Sequence, residues 1–193
     1  MSKQPDLMNV DWSQIPAPKD DGAAAHLKGA AMPSVALQAT DGKQADLSML
    51  KGRVVLFAYP RTGVPGQPSL VDDWDMIPGA RGCTPQTCSF RDLFKDLQVA
   101  GANHVFGLST QAHAYQREMA ERLHLPFAVL SDEKLALTRA LKLPTMQVAG
   151  EMLIKRLALI VDDARITQVL YPVFPPDSNG PEVLAWLKAN PRR

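Results

Sequence analysis

The chain has 193 residues, 46% of them hydrophobic, with 21 Lys and Arg against 20 Asp and Glu for a net charge of +1. That length suits one domain with some decoration, and the composition suits a globular protein with a packed core. The near-neutral balance provides no basic excess for nucleic acid or an anionic membrane surface, and no apolar run approaches the roughly 18–20 residues that cross a bilayer.

Residues 1–32, rich in Ala, Pro, Lys and Asp and without periodicity, read as an N-terminal extension, and residues 33–193 as the folded domain. The start, MSKQPDLMNVDW, lacks the basic and then apolar stretches of a secretory signal, so a cytoplasmic location is expected. In PSVALQATDGKQADLSMLKG, Val35 and Leu37 alternate with polar neighbours, Asp41-Gly42 signals a hairpin turn, and Leu47 to Lys51 reads as a short helical turn closed by Gly52. RVVLFAY, Arg53 to Tyr59, is apolar almost throughout and suits a central strand buried on both faces. Prolines at 65, 68 and 78 mark a long loop from Thr62 to Pro78, with the acidic cluster Asp72-Asp73-Trp74-Asp75 read as a solvated loop with a packed Trp, a contact surface for a reductase being the alternative. Phe90, Leu93, Phe94 and Leu97 give helical spacing over Cys83 to Val99.

Further along, HVFGLS reads as a second buried strand, Ala112 to Leu123 as a helix and Phe127 to Leu130 as a short strand. Ser131-Asp132 suits a cap for a helix from Glu133 to Leu141. MLIKRLALIVDDARITQVLY reads as two strands around Asp162-Asp163, and a helix with Pro181 in its first turn closes the chain. Helices alternating with strands, then a hairpin and a helix, predict a layered α/β fold with a mixed central sheet. Sites in such sheets form beyond the carboxyl ends of strands, which is where Cys83 falls.

The two cysteines, Cys83 and Cys88, are five positions apart. Where thiols are kept reduced, such a pair reads as catalytic, redox-active or metal-binding rather than structural; burial as two small hydrophobes is the plain alternative. A zinc pair fits poorly, because there is no second cysteine pair and the four histidines are scattered. There is also no C-x-x-C for dithiol exchange. Cys83 lies at a predicted helix N-terminus, where free N–H groups and the helix dipole favour the thiolate. A thiolate attacks a peroxide oxygen to give a sulfenic acid, which a second thiol condenses with. Five positions along an intact helix hold two Cα atoms roughly 8–9 Å apart, beyond the about 7 Å that a disulfide tolerates. Any Cys83–Cys88 bond therefore requires the helix to unwind, more readily if Pro85 lies beyond its first turn.

The run GCTPQTCSFRD resembles the active-site helix of the atypical two-cysteine peroxiredoxins known as bacterioferritin comigratory protein or PrxQ; Gly82, Cys83, Thr84, Gln86, Cys88, Arg91 and Asp92 all match its pattern. The resemblance extends over roughly residues 33–170, through DGKQADLSMLKGRVVLFAYP, LPFAVLSD and KRLALIVDDARI, and YPVFPPDSNG is similar to the peroxiredoxin 5 group. It implies a thioredoxin-like three-layer fold without cofactor or metal. The implied activity is a thiol-dependent peroxidase reducing hydrogen peroxide and organic hydroperoxides. In that reading Cys83 is peroxidatic, Cys88 resolves it into an intramolecular disulfide, and Arg156 is the active-site arginine. A thioredoxin-type thiol donor recycles the enzyme, and the protein is a monomer or homodimer. Arg81 and Arg91 are further cationic neighbours, and His104, His113 and His124 are given structural or solvent roles. PGARGCTPQTC also resembles a peroxiredoxin 5 motif in which Cys88 would be the peroxidatic residue. The family's Thr or Ser three residues before the peroxidatic cysteine is Ala80 here, leaving the hydroxyl to Thr62, to Thr84 or to a backbone N–H. The competing reading is a redox sensor or partner-binding protein on the same fold, switched by Cys83 oxidation; an inactive scaffold is a third.

Overall fold

The computed structural model describes residues 10–192. The first nine residues of the expected extension, and much of the stretch read as lacking a secretory signal, lie outside the described residues. The described residues form nine strands and five α-helices, in chain order β1 (Ala36–Ala39), β2 (Gln44–Asp46), β3 (Arg53–Ala58), α1 (Cys83–Asp92), α2 (Phe94–Val99), β4 (His104–Ser109), α3 (His113–Arg122), β5 (Val129–Ser131), α4 (Ala136–Leu141), β6 (Thr145–Val148), β7 (Glu151–Ile154), β8 (Leu157–Asp162), β9 (Arg165–Leu170) and α5 (Asn179–Ala189).

The main sheet runs β2-β1-β5-β4-β3-β8-β9. β3, β4 and β5 are parallel, and the flanking strands are antiparallel. The strand β3 is buried at every position, as its continuous apolar run requires. Its alternation divides the core. Val54, Leu56 and Ala58 join Leu27, Leu137 and Leu141 on one face. Val55, Phe57 and Tyr59 join Phe90, Leu97, Met119 and Leu187, from α1, α2, α3 and α5, on the other. Three layers result, with Tyr59-Pro60 leaving the sheet at the carboxyl end of β3.

The segment before residue 33 is part of this packing. Leu27 is fully buried. Gly29 and Met32 donate backbone bonds to Ile166 and Ala164, both at 2.8 Å, and Ile166 donates to Ala30 at 2.9 Å. These bonds occupy the outer edge of β9, which would otherwise present unpaired groups.

Several elements differ from their sequence reading. Residues 47–51 form no helix: the Asp46 carboxylate accepts from the Ser48 N–H at 2.9 Å and its hydroxyl at 2.6 Å, closing a single turn. The helix expected over 83–99 breaks at Leu93, which leaves α-helical geometry between α1 and α2. The helix expected from Glu133 begins at Ala136, because Leu135 takes a left-handed φ of 57°. The Asp132 carboxylate still caps it, accepting from the N–H groups of Leu137 and Thr138. The third strand segment ends at Ser131 rather than Leu130. The stretch read as two strands holds three, because β7 pairs separately with β6 across Ala149-Gly150, both at positive φ. That is two-residue hairpin geometry without the usual Asn-Gly signal. The turn between β8 and β9 is Asp163-Ala164, one residue later than read, and α5 begins two residues before Pro181.

Candidate active site

Cys83 is the first residue of α1, and Gly82 before it takes a left-handed φ of 100°. A side chain at Gly82 has no room: its Cβ would lie 2.5 Å from Pro176 and 2.7 Å from Trp12. Glycine therefore lets the chain turn into α1 beneath a lid made by those two residues. Pro85 is the third residue of α1, and the first helical bond runs from the Gln86 N–H to the Gly82 carbonyl at 3.0 Å. Proline at this point costs no intrahelical bond, so it does not weaken α1; the sequence left that open.

The Cys83 sulfur is buried, and two groups reach it. Its thiol donates to the Ala80 carbonyl at 3.5 Å. Arg156 Nη2 donates to the sulfur at 3.3 Å. Tyr59, just beyond the end of β3, is buried in the same cluster: burial, and then the nearby Cys83, push the Tyr59 phenol well above its ordinary value. Tyr59 is therefore a neutral wall that spends its hydroxyl on Gln116 at 3.0 Å.

Arg156 lies in the turn between β7 and β8 and is 2% exposed. Its Nη2 is encircled by the carbonyls of Gly79, Ala80 and Arg81 at 3.2, 3.3 and 2.9 Å, and Nη1 donates to Gln86 Oε1. A planar guanidinium held by this many oriented acceptors is a fixed positive charge. Cys83 and Arg156, predicted at 73 residues' separation, are thus brought into contact.

Cys88 also lies on α1, 3% exposed and unbonded to Cys83. Burial raises its thiol pKa, partly opposed by Arg91. The helix is intact over Cys83–Asp92, so the two sulfurs are held on different sides of it. Of the other cations, Arg81 pairs with Asp75 at 2.8 Å and lines the cleft over Cys83, whereas Arg91 serves the Cys88 side. Asp72 and Asp73 are exposed, while Trp74 is buried against Ala80, Val148 and Leu153.

Thr62 lines the same cleft as Cys83, together with Thr84. Its hydroxyl donates to Gln111 Oε1 at 3.1 Å, and its N–H does so at 2.9 Å, which pins the start of the long loop at the cleft wall. The sequence reading missed Gln86 as the acceptor for Arg156, although Gln at that position was part of the matched motif. It also missed Tyr59. Among the described residues no three His, Cys, Asp or Glu side chains gather as a metal site, and no helix is long and apolar enough to cross a membrane.

Residues 27–185 match the Redoxin family. The chloroplastic peroxiredoxin Q of Populus jackii is 32% identical over 164 residues, covering 84% of this chain and 68% of that protein. Its counterpart in Oryza sativa subsp. japonica is 37% identical over 107 residues, 55% of this chain and 42% of that one. The matches thus span from under half to about two thirds of these relatives' length. Among solved structures, peroxidoxin BcpB from Mycobacterium tuberculosis has a TM-score of 0.69 at 27% identity, covering 86% of this chain and all of that one. Peroxiredoxin Q from Xanthomonas campestris, at 23% identity and a TM-score of 0.67, covers 86% of this chain and 97% of its own. The fold is thioredoxin-like, as the resemblance implied.

Proposed function

We propose that this chain, which belongs to the Redoxin family and within it to the peroxiredoxin Q type, is a thiol-dependent peroxidase with Cys83 as the peroxidatic residue. The observation that carries the reading is the sulfur at the start of α1, 3.3 Å from a buried, fixed guanidinium. Helix N–H groups and Arg156 both favour the thiolate. The thiolate attacks the outer oxygen of a hydroperoxide, the S–O bond forms as the O–O bond breaks, and the departing alkoxide or hydroxide leaves as alcohol or water after taking a proton. Cys83 becomes a sulfenic acid, oxidised by two electrons. As the O–O bond lengthens, charge grows on the departing oxygen, and Arg156 and the free N–H groups of the first turn of α1 are positioned to stabilise it.

Cys88 then condenses with the sulfenic acid, releasing water and forming the disulfide, which a thioredoxin-type dithiol reduces. Peroxide attack belongs to the folded α1 and disulfide formation to an unwound one. Ala80 gives no hydroxyl at the family's usual place. Thr62, at the cleft wall, is the candidate replacement, with lone pairs left to accept from a peroxide O–H while its own proton goes to Gln111.

Ala80 also favours a second reading, a redox sensor that oxidises once at Cys83 and recycles slowly. Turnover of hydrogen peroxide with reduced thioredoxin separates the two, since only the peroxidase sustains it. Mass spectrometry after one equivalent of peroxide, on wild type and Cys88→Ser, tests the assignment itself. Sulfenic acid on Cys83 in the variant is the expected result; oxidation of Cys88 in a Cys83→Ser chain, with turnover intact, would reverse the roles.

A further inference from the structure

The geometry points to Asn179 as a positioning residue for this site: acting through Gln86, it sets the guanidinium of Arg156 on the Cys83 sulfur. The inference rests on the peroxidase reading above. Asn179 is the first residue of α5 and has no exposed surface. Its Oδ1 accepts from Gln86 Nε2 at 2.9 Å. Gln86, equally buried on α1, also donates from Nε2 to the Ala58 carbonyl at 3.4 Å and accepts from Arg156 Nη1 at Oε1. Four residues from α5, α1, the turn before β8 and the start of α1 therefore form one line ending at sulfur.

The polarity of the line is fixed from one end. Arginine has donors only, so the Gln86 atom facing it must be oxygen. Gln86 then turns its NH2 towards Asn179 and Ala58, and Asn179 must answer with oxygen. The consequence is visible at the far end, where Asn179 Nδ2 is buried without a hydrogen-bond partner. An orphaned donor is unfavourable, and an aspartate would avoid it. An aspartate would also place a negative charge in the buried cluster that must accommodate a thiolate. Asparagine supplies the acceptor without the charge. The contact exists only while α1 is folded, because Gln86 lies between Cys83 and Cys88. Unwinding this stretch to form the disulfide withdraws the acceptor from Arg156.

Substitution at 179 should therefore alter the sulfur's ionisation, which a purely structural role would not. The ionisable groups facing Cys83 are Arg156 and Tyr59, with Arg61 and Arg81 lining the cleft over it, and the substitution changes none of them. In a Cys88→Ser background, the pH profile of Cys83 alkylation by iodoacetamide is compared between Asn179 and Asn179→Ala. The expected shift of the midpoint is upward by about one pH unit, with peroxide oxidation near neutrality about tenfold slower and recovering at alkaline pH. Asn179→Leu, which removes the acceptor for Gln86 Nε2, keeps the volume and leaves the Gln86–Arg156 bond in place, should give the same shift; it also decides the matter if Asn179→Ala does not fold. An unchanged midpoint in either folded variant overturns the role of Asn179. Failure of wild-type Cys83 to react with peroxide, by contrast, would sink the peroxidase reading and leave the alkylation result to stand on its own.

Discussion

The two halves of α1 are held by different forces. Around Cys83 the hold is polar: Arg156 on the sulfur, Gln86 between Arg156 and Asn179, and the Thr87 hydroxyl on the Cys83 carbonyl at 2.9 Å. Seven residues after Cys83 it is apolar, with Phe90 stacked on Phe57 at 4.1 Å between ring centroids and only 4° from parallel. Hydrogen bonds exchanged for water change the free energy by about 0.5–1.5 kcal/mol each between neutral groups and about 1.5–3 kcal/mol to a charged one, and both partners find water again on exposure. A buried phenyl ring loses its whole burial term on exposure, about 1.5–3 kcal/mol before any cavity forms. The first half of α1 is thus the part that can leave and return, and Phe90 is the anchor about which it does so. That division suits a helix whose folded form holds the peroxide-reactive sulfur and whose unfolded form lets Cys88 reach it.

The largest expected effect falls on the polar half. Cys83→Ser should abolish peroxide reduction in a coupled thioredoxin assay, and retained turnover would place the chemistry on Cys88. Arg156→Ala, which removes the charge and takes the guanidinium from the carbonyls of residues 79–81, should slow Cys83 oxidation by about 10²-fold, the size seen when an oriented donor is taken from a reacting centre. Stopped-flow oxidation of the reduced protein measures it, and an unchanged rate would remove Arg156 from the mechanism.

On the apolar half, Phe90→Ala should cost about 3–5 kcal/mol in denaturant unfolding, as expected for emptying a core aromatic site. A loss below about 1 kcal/mol would mean that Phe90 is no anchor. Gly180→Ala should cost less, about 1–3 kcal/mol, because the added Cβ would sit 2.7 Å from Ser89 Oγ and 3.0 Å from the backbone of α1. A neutral result there would show that α1 and α5 can separate freely.

The smallest effect concerns pH. Burial raises the Cys88 thiol pKa in the folded protein, so the neutral thiol is the form that suits the fold. Its contribution is fully present below the ordinary thiol range and is lost as pH rises through the raised value. Reduced wild type should therefore lose stability on going from neutral to alkaline pH more steeply than Cys88→Ala. Parallel curves for the two would show that burial of Cys88 carries no such penalty.

Much of this arrangement was legible in the residues. The continuous run of β3, the helical spacing after Cys83 and the Gly-Cys-Thr motif place a thiol at a helix start beyond a strand end. Arg156 was reached only through resemblance, since nothing local in KRLALIV distinguishes a buried guanidinium from an edge charge. Asn179 had no signal at all: before Gly180 and Pro181 it reads as ordinary helix-start chemistry, and its partner is 93 positions away. The β6–β7 hairpin was missed because Ala149 accepts a positive φ that alanine disfavours, so no turn signature marked it. The short turn at Asp46 and the left-handed Leu135 show the same rule, in which a side-chain cap or a strained residue overrides spacing.

Amide hydrogen exchange across residues 83–92, measured with the protein reduced and then oxidised, tests the division of α1 most directly. Residues 86–88, the first amides bonded within α1, should exchange much faster once the Cys83–Cys88 bond is confirmed by mass, while the amides around Phe90 remain protected. Equal protection of residues 86–88 in both states, with that bond present, would contradict the account, because a helix still intact over this stretch cannot bring the two sulfurs together.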